Sequence, residues 1–200
     1  MKATQIARMV LLTLAVASAS CGSAVRQGTG TSFLIISNLE AASGAKPQEF
    51  GGFLQSDVQT VVQDIPSVFG DLGRVSLRLG LKDPGPAGSP TTPTQNEAIT
   101  LDHYQVRFIR ADGRNTPGVD VPYGFDGAIT LTVAAESQAT FELVRHIAKL
   151  EAPLRSLIEN RVIINAVAEI TFFGRDQTGH EVSVVGRITV DFGNFADPQS

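Results

Sequence analysis

The segment VSVVGRITVDF, residues 182–192, decides the fold class because its side chains alternate with a period of two. One face carries apolar side chains and a glycine: Val182, Val184, Gly186, Ile188, Val190 and Phe192. The other face carries Ser183, Val185, Arg187, Thr189 and Asp191. Successive side chains of a β-strand point to opposite sides, so this alternation is typical of a strand with one buried face. The segment therefore predicts a long strand that covers an apolar core.

Several other segments repeat the alternation and are also predicted to be strands. The most regular are RVSLRLGLK (74–82), HYQVRFI (103–109), AITLTV (128–133) and AVAEITFFG (166–174). Less regular ones are SFLIISNL (32–39), DVQTVVQ (57–63) and ATFELVR (139–145). Turn-forming residues separate these runs, most densely the prolines and glycines of residues 82–94. We expect an all-β protein, an antiparallel β-sandwich of about seven to nine strands.

One segment departs from the period of two. Residues 146–161, HIAKLEAPLRSLIENR, place apolar side chains at helical spacing, at Ile147, Leu150, Leu154, Leu157 and Ile158. Pro153 fits the first turn of a helix, where its missing N–H costs nothing. The pattern predicts one short helix or irregular crossover near residues 147–160.

Two segments resemble fibronectin type III and bacterial immunoglobulin-like domains. YQVRFIRADGRN (104–115) resembles the third strand of these domains, with Tyr104, Val106 and Phe108 facing inward. AEITFFGRDQTGHEVSVVGRITV (168–190) resembles their last hairpin. The chain has no Trp and a single Cys, so the disulfide and Trp that immunoglobulin domains bury between their sheets are absent. Phe108, Phe141 and Phe172 are expected to fill that volume.

The N-terminus has the pattern of an export signal over residues 1–20. Lys2 and Arg8 provide positive charge, and Met9 to Ala17 form an apolar run followed by small residues. A run of about 10 apolar residues is too short to span a bilayer, which needs about 20. Residues 21–31 are small and polar and are predicted to be a flexible tether, and residues 32–200 a single β-sandwich domain.

Cys21 is the only cysteine of the chain. The sequence Ser18-Ala19-Ser20-Cys21 resembles the lipobox of bacterial lipoproteins, although Ser18 stands where a typical lipobox has Leu. The resemblance implies that Cys21 is acylated, anchors the protein to a lipid bilayer, and becomes the first mature residue. Gly22 then implies sorting to the outer membrane where one is present. The alternative is ordinary signal peptidase, with Ala17-Ser18-Ala19 as the site and cleavage before Ser20.

The charge balance argues against nucleic acid as a partner. The chain has 16 Lys and Arg against 20 Asp and Glu. Removal of residues 1–20 takes away Lys2 and Arg8 and no acidic residue, so the mature protein is more acidic still. Binding to polyanions needs clustered basic side chains.

The loops offer one candidate metal site and one candidate ligand site. Asp112, Asn115 and Asp120, joined by Asp176 from the last hairpin, supply the oxygen ligands that calcium prefers. The alternative is that these side chains hydrogen-bond their own turns. Tyr123 and Phe125 lie in a loop rich in Pro and Gly, where an exposed aromatic pair would suit recognition of a ligand such as a glycan. The alternative is that the two rings form a plug that covers the end of the sandwich.

Catalytic motifs do not stand out. His103, His146 and His180 form no HxxxH or HExxH pair, and no Gly-x-Ser-x-Gly is present. Glu142, Glu151, Glu169 and Asp191 come from separate segments, and their spacing shows no acid–base pair. We expect a non-enzymatic envelope lipoprotein that binds or supports an envelope protein or glycan, without a cofactor. The alternative is a calcium- or carbohydrate-binding module that uses loops 111–126 and 174–181.

Overall fold

The computed structural model describes residues 30–160 and 162–195 of the protein. Strands dominate this part of the chain and confirm the all-β prediction. The strands are β1 (Ser32–Ala42), β2 (Phe53–Asp57), β3 (Thr60–Val62), β4 (Ile65–Ser67), β5 (Asp71–Leu81), β6 (Ile99–Ile109), β7 (Phe125–Val133), β8 (Glu136–Val144), β9 (Ile164–Asp176) and β10 (Glu181–Gly193). No helix in this part of the chain is long and apolar enough to cross a membrane.

Two sheets pack face to face. One has the order β1-β5-β8 and the other the order β2-β10-β9-β6-β7, while β3 and β4 form a separate hairpin. This order makes β1, β5 and β8 the A, B and E strands of an immunoglobulin-like sandwich. It makes β7, β6, β9 and β10 the C′, C, F and G strands of the opposite sheet. All pairings are antiparallel except that of β2 with β10.

The segment 182–192 lies in β10, the second strand of the larger sheet, between β2 and β9. It pairs with β9 from Glu181 opposite Arg175 to Phe192 opposite Ile164. Its predicted inner side chains Ile188, Val190 and Phe192 are buried. The three less regular segments overlap strands as well. Residues 32–39 lie in β1, residues 57–63 include β3, and residues 139–145 cover most of β8.

The core between the sheets is aromatic at its centre. The ring of Phe141 lies 5.1 Å from that of Tyr104 and 5.2 Å from that of Phe172, in edge-on geometry. Phe108 packs edge-on against Phe192. Gly73 lies under Phe141, and a Cβ there would come within 2.4 Å of the ring. The predicted Phe108, Phe141 and Phe172 therefore do fill the core.

The predicted crossover lies between β8 and β9, where the chain changes sheets. It consists of a short helix α1 (His146–Lys149) and a 3₁₀ turn (Leu154–Ile158). Leu154 and Leu157 are buried in the core. Lys149 is also buried, which its charge did not predict.

Lys149 is the centre of a buried cluster, hereafter the lysine cluster, that joins four segments. Its Nζ donates hydrogen bonds of 2.8 Å to Asp71 Oδ1 and of 2.8 Å to the carbonyl of Asp57. The Ser56 hydroxyl donates to Asp71 Oδ2 at 2.6 Å, and the Gly44 N–H donates to Asp71 Oδ1 at 2.9 Å. Burial raises the pKa of Asp71, and the charge and hydrogen bond of Lys149 oppose that effect, as do the bonds from Ser56 and Gly44.

The strand register divides the connections between two ends of the sandwich. At one end, here the entry end, Ser32 pairs with Leu81 and Ile99 with Asp176. At the other, here the groove end, lie residues 43–52, 58–70, 110–124 and 145–163, which connect the strands there. The longest strands have 13 residues, so the two ends are roughly 40 Å apart at about 3.3 Å per residue.

We expect Lys149→Met to lower the free energy of unfolding by about 3–5 kcal/mol, because it leaves the Asp71 carboxylate buried without its cation. Urea unfolding followed by circular dichroism measures the change. Lys46→Met is the matched control, since Lys46 pairs with Glu49 at 3.3 Å on the surface and should contribute less than about 1 kcal/mol. Equal effects of the two substitutions would contradict the role given to the lysine cluster.

Candidate functional site

The candidate site is a groove at the groove end of the sandwich, beside the edge strand β2. The cavity has a volume of about 710 Å³, within the range of pockets that take small ligands. It lies between the loop that follows β1, strand β2 and the start of β3. The main lining residues are Ser43, Lys46, Glu49, Phe50, Phe53, Gln55, Asp57, Thr60, Val61 and Phe195.

The groove is lined by apolar side chains as well as polar ones. The side chain of Phe53 is 56% exposed and that of Val61 is 43% exposed. The ring of Phe50 also lines the groove, and the guanidinium of Arg74 lies 4.0 Å from its centroid. Arg74 is in turn held by Glu40 at 2.8 Å. A held aromatic ring and exposed apolar side chains in one groove favour a ligand with apolar groups.

The lysine cluster meets the groove at Asp57, here called its floor. Asp57 lines the groove, and its carbonyl accepts the hydrogen bond from Lys149. The carboxylate of Asp57 accepts from the Thr60 hydroxyl at 2.8 Å and from the Phe195 N–H at 3.1 Å. The position of β2 in the groove is therefore set by hydrogen bonds to three other segments.

The hairpin β3–β4 borders the groove and projects apolar side chains. Val62 and Ile65 are exposed. Its tip residues Gln63 and Asp64 both have left-handed backbone, with φ of 51° and 63°. That conformation favours Asn and Gly and is strained for Gln. Strain at an exposed position is typical of functional segments.

The structure does not bring the four predicted calcium ligands together. Asp112, Asn115 and Asp120 lie at the groove end, beyond Ile109, whereas Asp176 lies at the entry end opposite Ile99. Each side chain instead forms hydrogen bonds with residues close to it in sequence, as the alternative predicts. In the described segments no group of three His, Cys, Asp or Glu side chains is arranged to hold a metal ion.

Hydrogen bonds account for the three acidic or amide side chains of the first loop. Asp112 binds Arg110 and Arg114, and these contacts, that of Arg110 foremost, lower its pKa to about 2. Asn115 accepts from the Arg110 N–H at 2.6 Å. Asp120 accepts from the Thr116 N–H at 3.1 Å.

Asp176 closes the last hairpin at the entry end. Its Oδ1 accepts from the backbone N–H of Thr178 and of His180, each at 2.9 Å. Burial acts to raise the pKa of Asp176, but the hydrogen bonds from Thr178 and His180 outweigh burial and lower it. Gly30 packs on this turn, since a Cβ there would lie 3.2 Å from Asp176 Oδ2.

The predicted aromatic pair Tyr123 and Phe125 is split by the structure. Tyr123 is 55% exposed, with its ring over Gly118. Phe125 is only partly exposed, with its ring 6.3 Å from that of Tyr104 and 4.5 Å from the guanidinium of Arg145. Phe125 therefore belongs to the margin of the core, and the two rings do not form an exposed pair. Cys21 lies outside the described residues.

Glu169 is the only one of the four carboxylates considered for catalysis that is buried. It lies on the outer face of the larger sheet, bound by Arg107 at 2.8 Å and by Arg187 at 2.7 Å. The hydrogen bonds from Arg107 and Arg187 lower the pKa of Glu169. A general acid needs a raised pKa, so this arrangement stabilises the sheet rather than serving acid catalysis.

The groove was not predicted from the sequence. Its aromatic residues Phe50, Phe53 and Phe195 lie outside the long alternating segments, and β2 has only five residues. One signal was present: QEFGGFLQ (48–55) places two Phe around two Gly. Exposed aromatic side chains beside glycines are typical of binding loops, although they do not indicate which segments meet.

We expect Glu169→Gln to lower the free energy of unfolding at pH 7 by about 1 kcal/mol, since both arginines are largely exposed. The native-state pKa of Glu169 is lowered, so its contribution is complete above the unfolded-state value of about 4.3 and is lost as the pH falls through the native-state value. The difference between the wild type and Glu169→Gln should therefore shrink between pH 5 and pH 3.

Urea titrations at a series of pH values test this dependence. Glu181→Gln is the control on the same sheet, because Glu181 meets Arg175 at 3.5 Å with both side chains exposed. A destabilisation by Glu169→Gln that stays constant down to pH 3 would contradict the assignment.

Comparison with protein-family models, with curated proteins and with solved structures found no significant match in any of the three. Three features of the molecule bear on its function. They are the groove beside β2, the apolar hairpin that borders it, and the position of Gly30 at the opposite end.

Proposed function

We propose that the protein is an exported, lipid-anchored protein of the cell envelope that binds a partner through the groove beside β2 and has no enzymatic activity. The observation that carries the proposal is that the start of the described chain and the groove lie at opposite ends of the sandwich. The described chain enters at Gly30, against the turn of Asp176 and His180, while the groove lies at the other end. A sandwich attached near Gly30 presents the groove away from its attachment point.

The sequence before Gly30 supports the anchor. The charged start, apolar run and Ser18-Ala19-Ser20-Cys21 of the first 21 residues have the order of a lipoprotein signal. Several acyl chains on Cys21 would bury enough methylene groups for stable membrane attachment. Residues 22–29 would then separate the bilayer from the sandwich. With a sandwich roughly 40 Å long, the groove would stand well clear of the membrane surface.

The groove end supports a binding role. Phe53, Val61, Val62 and Ile65 are exposed there, and the cavity adjoins them. Exposed apolar side chains that cluster around a cavity mark interaction sites. The hydrogen bonds of the lysine cluster fix the floor, so a ligand would meet a largely preformed surface.

Cys21→Ala tests the anchor. Wild-type protein should incorporate a labelled fatty acid in the producing cells and remain with the membrane fraction, because the thiol of Cys21 carries the acyl chains. The Cys21→Ala protein should lose the label and appear in soluble form. Ser23→Ala serves as control and should be labelled like the wild type. Equal labelling of the wild type and Cys21→Ala would refute the lipid anchor.

Phe53→Asp tests the groove. Crosslinking in intact cells should connect the wild-type protein to a discrete partner, and Phe53→Asp should reduce that product at least about tenfold, because it places a charge on an apolar wall. Tyr123→Asp is the matched control, an exposed aromatic residue in another loop of the groove end. Loss of the product in both variants, or in neither, would contradict binding through the groove.

A further inference from the structure

We propose that the partner is a polypeptide, and that an extended segment of it adds as a new strand to the free edge of β2. This inference rests on the proposed function and names the chemical class of the partner. It is carried by the backbone of β2, by the composition of the groove beside it, and by a difference between β2 and the other edge strands.

The backbone of β2 has one side paired and one side open. The Val58 N–H donates to the Gly193 carbonyl at 2.9 Å, so Val58 faces β10. Residues alternate in a parallel ladder, and therefore Phe53 and Gln55 direct their N–H and C=O groups away from β10. In the described part of the chain, β2 is paired with β10 alone, and Gly51, just before β2, is bridged to Ala41 at the end of β1. The carbonyl of Asp57, next along the same side, is occupied by Lys149.

The groove lies along this open side. Phe53, Gln55 and Asp57 all line it, together with Phe50 and Phe195. An added strand would place every second side chain toward the apolar side chains of the groove and would offer N–H and C=O groups at a repeat of about 6.8 Å. A polypeptide in extended conformation supplies both features. A glycan supplies hydroxyl groups without that repeat.

β2 is short, as many protected edge strands are, but it lacks three other features that protect edges. These are bulges, lysine and proline. The edge strands β1, β7 and β8 each have an irregularity in register with their neighbour. β2, with the sequence FLQSD, pairs regularly with β10 and contains neither lysine nor proline. The one regular edge of the two main sheets is thus the edge that faces the groove.

Gln55→Pro separates strand addition from other binding modes. It removes an N–H on the open side and leaves the ladder with β10 intact, since proline is tolerated at such an edge position. Gln55→Thr keeps the N–H and is the matched control. Full-length protein purified from membranes is used to select from a random dodecapeptide library displayed on phage. The affinities of the selected peptides for the three proteins are then measured in detergent.

The wild type and Gln55→Thr should enrich peptides with apolar residues at alternate positions and bind them with similar affinity. Gln55→Pro should bind the same peptides at least about tenfold more weakly, because it lacks one ladder donor and meets the added strand with its ring. Hydrogen exchange followed by NMR should find the Gln55 amide fast in the free protein and slowed at least about tenfold by the peptide.

Three results would overturn the proposal. One is a library that yields no peptide preferred by the wild type over Gln55→Pro. Another is a Gln55 amide already protected in the free protein. The third is a concentration-dependent dimer abolished by Gln55→Pro, which would assign the edge to a second copy of the chain. Labelling of Cys21 is unaffected by any of these, so failure of the anchor and failure of strand addition remain distinguishable.

Discussion

The buried ion pair between Lys149 and Asp71 is the interaction on which the groove end depends. Their side chains are 1% and 0% exposed, so each charge has lost its water and relies on fixed partners. Those partners come from the loop after β1, from β2, from the start of β5 and from α1. A pair of apolar side chains in this place would be buried to a similar extent, but its contacts would not be directional as hydrogen bonds are. The hydrogen-bonding geometry instead determines where β2 lies, and with it the floor of the groove.

The fold could be predicted because one face of most strands is buried. In β5, β6, β9 and β10, burial imposes a period of two over 11 to 13 residues, and no other structure explains that period. The crossover was predictable for the same kind of reason. Leu154 and Leu157 fill the end of the core from a helical turn, and their spacing carries that information. A repeating apolar pattern shows which face of a segment is buried, whichever element packs against that face.

The candidate site could not be predicted because its contacts join distant segments through single residues. Lys149 and Asp71 are 78 positions apart, and a lysine within a helical pattern indicates a solvent-facing residue. β2 is too short for alternation to be distinguished from chance. In the loop after β6, the sequence indicated a site that the structure does not assemble. Asp112, Asn115 and Asp120 are residue types that bind metal ions, yet hydrogen bonds with nearby residues satisfy them. Type and spacing do not distinguish these uses.

A short, regular and open edge is consistent with the location proposed for the protein. Molecules anchored to one membrane share a thin layer, where their high local concentration favours edge-to-edge pairing. A long open strand would then join neighbouring copies. β2 offers only Phe53 and Gln55 on its open side, and the loop and hairpin that border the groove flank this edge. Two residues of open edge suit a single extended peptide, whereas a stable sheet between folded copies needs a longer ladder. The limited length of β2 therefore favours the proposed single peptide over a second copy of the chain.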